Sequence, residues 1–136
     1  MRRLPSRPSA DRSYPLGRAK RVMAERGGHR GEALAAWFLR AKLYKIVARR
    51  FKTPVGEIDL IAERFGTTVF VEVKARRDSK DLAGALGAVN RRRIVRAAQY
   101  FIARNPERAH CPMRFDVIFV APFALPRHFT NAFNQD

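Results

Sequence analysis

Two short apolar runs, Glu57–Ala62 (EIDLIA) and Thr68–Ala75 (TVFVEVKA), stand only five residues apart, and each carries carboxylates inside it. Runs of that length, rich in β-branched residues and joined by a glycine-containing turn (Glu63–Thr67, with Gly66), predict two strands of one hairpin. Alternation along the second run sends Val69, Val71 and Val73 to one face and Phe70, Glu72 and Lys74 to the other. With the loop tip at Phe65 and Gly66, Asp59 falls opposite Glu72, their Cβ atoms about 5 Å apart. Lys74 then shares the face of Glu72, and Glu57 lies opposite Lys74. Like charges facing each other across a strand pair are destabilising. A hard divalent cation taking oxygen ligands, with the Val73 carbonyl in reach, is the natural compensation. The valine face is expected in the core and the carboxylate face open at a cleft.

The rest of the chain supplies partners for this hairpin. Gly31–Ala41 (GEALAAWFLRA) predicts a helix whose buried stripe is Leu34, Trp37, Phe38 and Ala41, with Trp37 and Phe38 as core residues. Leu43–Phe51 predicts a further strand, and Thr53-Pro54-Val55-Gly56 a turn. Arg76–Gly87 reads as a loop. A second helix follows, with Ile94, Ala97, Ala98, Phe101 and Ile102 on one face, ended by Asn105-Pro106. Met113–Val120 predicts a fourth strand, and His128–Phe133 a terminal helical turn. Three strands joined by short turns form an antiparallel meander, and the helix before the fourth strand allows a parallel crossover. The class is therefore α/β: an αβββαβ core with a mixed central sheet flanked by helices.

Charge narrows the partners. The 136 residues carry 28 Lys and Arg against 12 Asp and Glu, a formal +16. Residues 1–27 form a basic arm rich in Pro and Gly, expected to be disordered, and residues 28–136 form the domain. The excess is not confined to the arm, because residues 29–136 hold 20 basic and 10 acidic side chains. Such a chain attracts polyanions, with nucleic acid first and an anionic lipid surface through the arm second. One cysteine, Cys111, excludes an internal disulfide or a Cys-based zinc site. The longest apolar run, Ala33–Leu39, is far short of the roughly 18 residues of a membrane span. The arm has no apolar segment of the signal-peptide kind, and the expected location is cytoplasmic.

The acids point to phosphodiester hydrolysis. Mg²⁺ or Mn²⁺ held by Asp59 and Glu72 would polarise a phosphoryl oxygen and acidify a bound water. Lys74 would place or deprotonate that water, or offset the developing charge. The bland alternative is that a Glu-x-Lys on a strand is a solvated face. Acids set within LIA and VFV runs are hard to reconcile with surface decoration. Arg91, Arg92, Arg93 and Arg96 read either as solvated helix positions or as a phosphate clamp beside the cleft. Arg76, Arg77 and Lys80 follow the Lys74 strand directly, and Arg49, Arg50 and Lys52 could extend the same groove. His29, His110 and His128 are scattered, with no neighbours at zinc-site spacing.

Gly56-Glu57-Ile58-Asp59-Leu60-Ile61-Ala62 followed by Val69-Phe70-Val71-Glu72-Val73-Lys74-Ala75-Arg76 resembles the core of the restriction-endonuclease-like PD-(D/E)xK nucleases. More closely, the chain resembles the bacterial YraN-like family, related to archaeal Holliday-junction resolvases. The matching pieces are Gly28-x-x-Gly31-Glu32-x-x-Ala35, the two segments above, Arg93-Ile94 with Ala97-Ala98, Arg114-Phe115-Asp116-Val117 and Asn131-Ala132-Phe133. The resemblance implies that Asp59 and Glu72 are metal ligands, Lys74 the catalytic lysine, and Glu32 an additional carboxylate directed at the metal. The residue-level alternative for Glu32 is a first-turn acid complementing the helix dipole. Glu57 is assigned a supporting place or the role of partner to Lys74, and Asp116 a structural role. Two departures from the pattern, Arg49-Arg50 where relatives usually have Arg-Asn and Arg rather than Lys near the second helix's start, bear on how the substrate backbone is held.

The expected function is metal-dependent hydrolysis of DNA, with branched or structured DNA suggested by family analogy alone. A homodimer is expected because two strands require two cuts. The alternative is a non-catalytic, basic nucleic-acid-binding protein with a nuclease-like fold.

Overall fold

The computed structural model describes residues 31–78 and 80–135. The basic arm, with His29, lies outside the described residues. A first helix, α1, covers residues 31–41. Strands β1 (Lys45–Thr53), β2 (Gly56–Arg64) and β3 (Thr67–Ala75) follow as a meander, then α2 (Leu82–Gly87), α3 (Arg91–Arg104), β4 (Met113–Val120) and β5 (Arg127–Phe133). The strands form one sheet in the order β1-β2-β3-β4-β5. The β3–β4 pair is parallel and the others antiparallel. The helical segment between β3 and β4 is the crossover that a parallel pair demands. This is the expected αβββαβ core, with one strand added at the edge.

Both faces of the sheet are covered. On one side Ala35, Ala36 and Leu39 of α1 pack on Leu60, Ala62, Val69, Val71, Ile118 and Val120. On the other, Ile94, Val95, Ala97, Ala98 and Phe101 of α3 pack on Ile58, Ile61, Phe70, Phe115, Val117 and Phe133. Double coverage explains why β2 reads Leu-Ile-Ala without a polar interruption.

Four expectations change. The buried stripe of α1 is Glu32, Ala35, Ala36 and Leu39, whereas Trp37 is 69% exposed and Leu34 42%. Seven apolar residues in succession leave the helical phase undetermined, and the small alanines let the helix lie close to the sheet. The carboxylate face of β3 is open only at its end, because Phe70 on that face is buried under α3. The segment expected as a loop contains the short helix α2. The chain end expected as a helical turn is β5, paired with β4 through Val117↔Phe129 and Ile118↔His128.

Candidate metal centre

The site forms where β2 and β3 part. Their ladder runs from Arg64↔Thr67 to Leu60↔Val71. Asp59 lies just beyond, and there its Oδ2 accepts the backbone N–H of Val73 at 2.8 Å. A carboxylate thus replaces the next strand-to-strand bond and is fixed against β3. Strand alternation slips at this level, since Ile58 and Ile61 both face α3 while Leu60 faces α1.

Glu72 lies beside Asp59, close enough for the two carboxyl groups to act on one another. Burial, then Asp59, pushes the Glu72 carboxyl up to about 8, against the opposing pull of Lys74. Lys74 Nζ lies 3.4 Å from Glu72 Oε2, and both side chains are mostly buried. Asp59, Glu72 and Lys74 therefore converge as expected, through the end of the hairpin ladder. Glu57 does not join them. It is exposed and sits opposite Lys52 in the β1–β2 register, so the partner of Lys74 is Glu72.

Glu32 reaches this region from α1. Its helix is seated by Gly31, where an added Cβ would come within 3.1 Å of Val120 Cγ2 and 3.2 Å of Ala75 Cβ. Burial, followed by the charge of Asp59, raises the Glu32 carboxyl, and Arg49 and Arg50 work in the opposite direction. Arg49 Nε is 3.5 Å from Glu32 Oε1 and Arg50 Nε 3.9 Å from Oε2. Consecutive strand residues ordinarily point to opposite faces. These two reach one carboxylate at a position where Arg50 takes φ +52°.

Among the described residues, no three His, Cys, Asp or Glu side chains gather as a finished metal cage. The closeness of Asp59 disfavours a negative charge on Glu72, and a hard cation taking oxygen ligands offsets such repulsion. Mg²⁺ commonly takes one or two protein carboxylates and keeps several waters. Two neighbouring carboxylates, Asp59 and Glu72, are donors of the kind such an ion takes, while Glu32 is engaged by Arg49 and Arg50.

The arginines divide. Arg91, Arg92 and Arg93 open α3, its first turn capped by Asn90 Oδ1 accepting the Arg93 N–H at 3.2 Å. The Arg93 carbonyl sits 3.1 Å from where a Cβ at Gly56 would be, so the start of α3 abuts the β1–β2 turn. Arg76 pairs with Asp81 at 3.2 Å, and Arg77 and Arg96 are exposed.

The comparisons with known proteins bear on this geometry. The model of the Uncharacterised protein family UPF0102 matches residues 31–120, the span from α1 to the end of β4. The chain belongs to the UPF0102 family. It is 47% identical to a UPF0102 protein of Rhodopseudomonas palustris strain BisB18, over 93% of this chain and 96% of that one. It is 50% identical to one of Bradyrhizobium sp. strain ORS 278, over 85% and 82%. It is 48% identical to one of R. palustris strain CGA009, over 91% and 95%. The YraN-like resemblance is thereby established as family membership. The UPF0102 match includes Glu32, Asp59, Glu72 and Lys74. No helix among the described residues is long and apolar enough to cross a membrane.

A second polar cluster was not anticipated. Asp116, fully buried, accepts two bonds from Arg114 at 2.8 Å, one from the Asn131 N–H at 2.9 Å and one from His128 Nε2 at 2.7 Å. Lys42 Nζ lies 2.7 Å from His128 Nδ1, and Arg114 also donates to the Tyr44 hydroxyl at 2.7 Å. A lysine donating to Nδ1 leaves Nε2 as the nitrogen that carries a proton to Asp116. Only the buried acid in a β-run, Arg-Phe-Asp-Val, hints at this in the sequence.

Proposed function

We propose that this UPF0102 protein is a metal-dependent nuclease that hydrolyses phosphodiester bonds of nucleic acid, DNA foremost. The observation that carries the reading is the mostly buried Glu72, beside Asp59 and 3.4 Å from the Lys74 ammonium, in a chain of formal charge +16. Bound Mg²⁺ or Mn²⁺ supplies charge neutralisation at a phosphoryl oxygen and a more acidic water. Asp59, anchored by the Val73 N–H, keeps one carboxylate fixed relative to β3. Glu72 would hold the ion together with Asp59. Lys74, held 3.4 Å from Glu72, would orient the attacking water and offset negative charge that grows on the phosphorus oxygens. Arg77, Arg91, Arg92, Arg93 and Arg96 supply non-specific attraction to the phosphate backbone. A homodimer would bring two such sites to the two strands of a duplex.

The experiment is cleavage of DNA substrates, linear and branched, in Mg²⁺ and Mn²⁺. Asp59→Asn and Lys74→Ala are expected to abolish cleavage while leaving DNA binding, measured without divalent metal, within about threefold, because the phosphate-binding arginines are untouched. Equal cleavage by wild type and both variants overturns the reading. Salt-sensitive binding by wild type with no cleavage in either metal favours the second reading, a non-catalytic nucleic-acid-binding protein. The arginine-only first turn of α3 is the observation on that side.

A further inference from the structure

Glu32 has two sets of neighbours. On one side is the Asp59 carboxylate, near enough for its charge to act on Glu32. On the other are Arg49 and Arg50. The Glu32 side chain is 7% exposed, while those of Arg49 and Arg50 are 44% and 39% exposed. A buried acid is thus held by two cations that face solvent. The hold is loose, because both contacts run to Nε at 3.5 and 3.9 Å, and a charge-assisted hydrogen bond closes to about 2.7–2.9 Å. Guanidinium forks match phosphate as well as carboxylate. The φ of +52° at Arg50 brings both forks to one side of β1, an arrangement that a strand does not adopt unaided.

We propose that Glu32 occupies Arg49 and Arg50 in place of a nucleic-acid phosphate, and that a backbone phosphate taking those arginines releases Glu32 to complete the cation site. This rests on the metal-site reading above and adds its regulation by substrate. Once its arginines turn to phosphate, Glu32 is a buried carboxylate beside Asp59 with nothing to balance it, a costly arrangement that a divalent cation relieves. Phosphate binding and cation binding therefore assist each other, and by linkage the assistance is reciprocal. The ion is held weakly until substrate arrives.

The test is Mn²⁺ binding, followed by electron paramagnetic resonance on the full chain, with and without a short phosphorothioate DNA duplex. Asp59→Asn serves as the baseline for ions held by the duplex itself. The Asp59-dependent Mn²⁺ affinity is expected to rise about tenfold with the duplex, within the usual range of coupling between sites. Glu32→Gln is expected to keep the weak site and lose most of that rise. Arg49→Ala with Arg50→Ala is expected to bind Mn²⁺ without duplex as tightly as wild type does with it. Asp59-dependent binding that the duplex leaves unchanged, or a full rise in Glu32→Gln, overturns the proposal and leaves the metal site standing. No Asp59-dependent Mn²⁺ binding in any condition overturns both.

Discussion

Asp59 Oδ2 accepts the Val73 backbone N–H at 2.8 Å just where the β2–β3 ladder stops. One side chain therefore closes the sheet and presents a charge to the site. The two duties separate by substitution. Asp59→Asn keeps an oxygen acceptor for Val73 and removes the charge, so stability in urea should stay within about 1 kcal/mol of wild type. Asp59→Ala strands the Val73 N–H and should cost about 1–3 kcal/mol. Both should lack the thermal stabilisation by Mn²⁺ that the proposed metal site predicts for wild type. Equal stability of the two variants would show that the bond to Val73 contributes nothing.

Glu72 predicts the direction of pH dependence. Its folded carboxyl, at about 8, binds a proton more tightly than the ordinary 4.5 of the unfolded chain. Between those values the folded state holds more protons than the unfolded state, so this group's contribution falls as pH rises and the full penalty is present above about 8. Glu72→Gln should remove that slope. Relative to wild type it should gain stability at pH 8.5 and show little difference near pH 4. Urea titrations at the two pH values check this, and a variant whose advantage grows toward acid contradicts it.

The seating of α1 can be tested at Gly31. An added methyl meets Val120 and Ala75 at 3.1 and 3.2 Å. Overpacking costs about 1–3 kcal/mol, and Ala recovers up to about 1 kcal/mol of helix propensity over Gly. Gly31→Ala should therefore be destabilised by no more than about 3 kcal/mol while displacing Glu32. The coupling between DNA and Mn²⁺ should suffer more than the melting temperature does.

The register of β2 and β3 was legible because the tip at Phe65-Gly66, a two-residue connection shorter than the five residues read as the turn, sets which residues pair. The detail that Asp59 bonds Val73 rather than completing a ladder step was hidden, since it depends on the strands separating. The phase of α1 was illegible because Ala33–Leu39 offers no polar residue to mark the outer face. Arg49 and Arg50 were legible as cations but not as partners of Glu32, because strand alternation would send them to opposite sides. The α1 correction carries its own prediction. Trp37→Ala should change stability by no more than about 0.5 kcal/mol, whereas Leu39→Ala should cost about 2–5 kcal/mol. Comparable losses at both positions would restore the stripe read from periodicity.

Asp116 governs behaviour in acid. Burial alone would raise its carboxyl, but the bonds from His128, Arg114 and the Asn131 N–H outweigh burial and hold it below its ordinary 3.8. A depressed acid contributes stability that is complete above its unfolded value and lost as pH falls through the folded one. Wild type should therefore lose this contribution only below about pH 4, the ordinary carboxylate range. Asp116→Asn removes the charge while Arg114 and His128 stay in place, and breaking a buried pair on one side costs about 3–5 kcal/mol. The loss should be present at neutral pH and shrink as wild type is acidified. Because the cluster of Lys42, Tyr44, Arg114, Asp116 and His128 is distinct from Asp59, Glu72 and Lys74, Mn²⁺ affinity of the folded variant should be unchanged. Circular dichroism melts across pH 3–7, with Mn²⁺ titration below the melting temperature, measure both. A variant that folds normally but no longer takes up Mn²⁺ would place Asp116 in the metal centre instead.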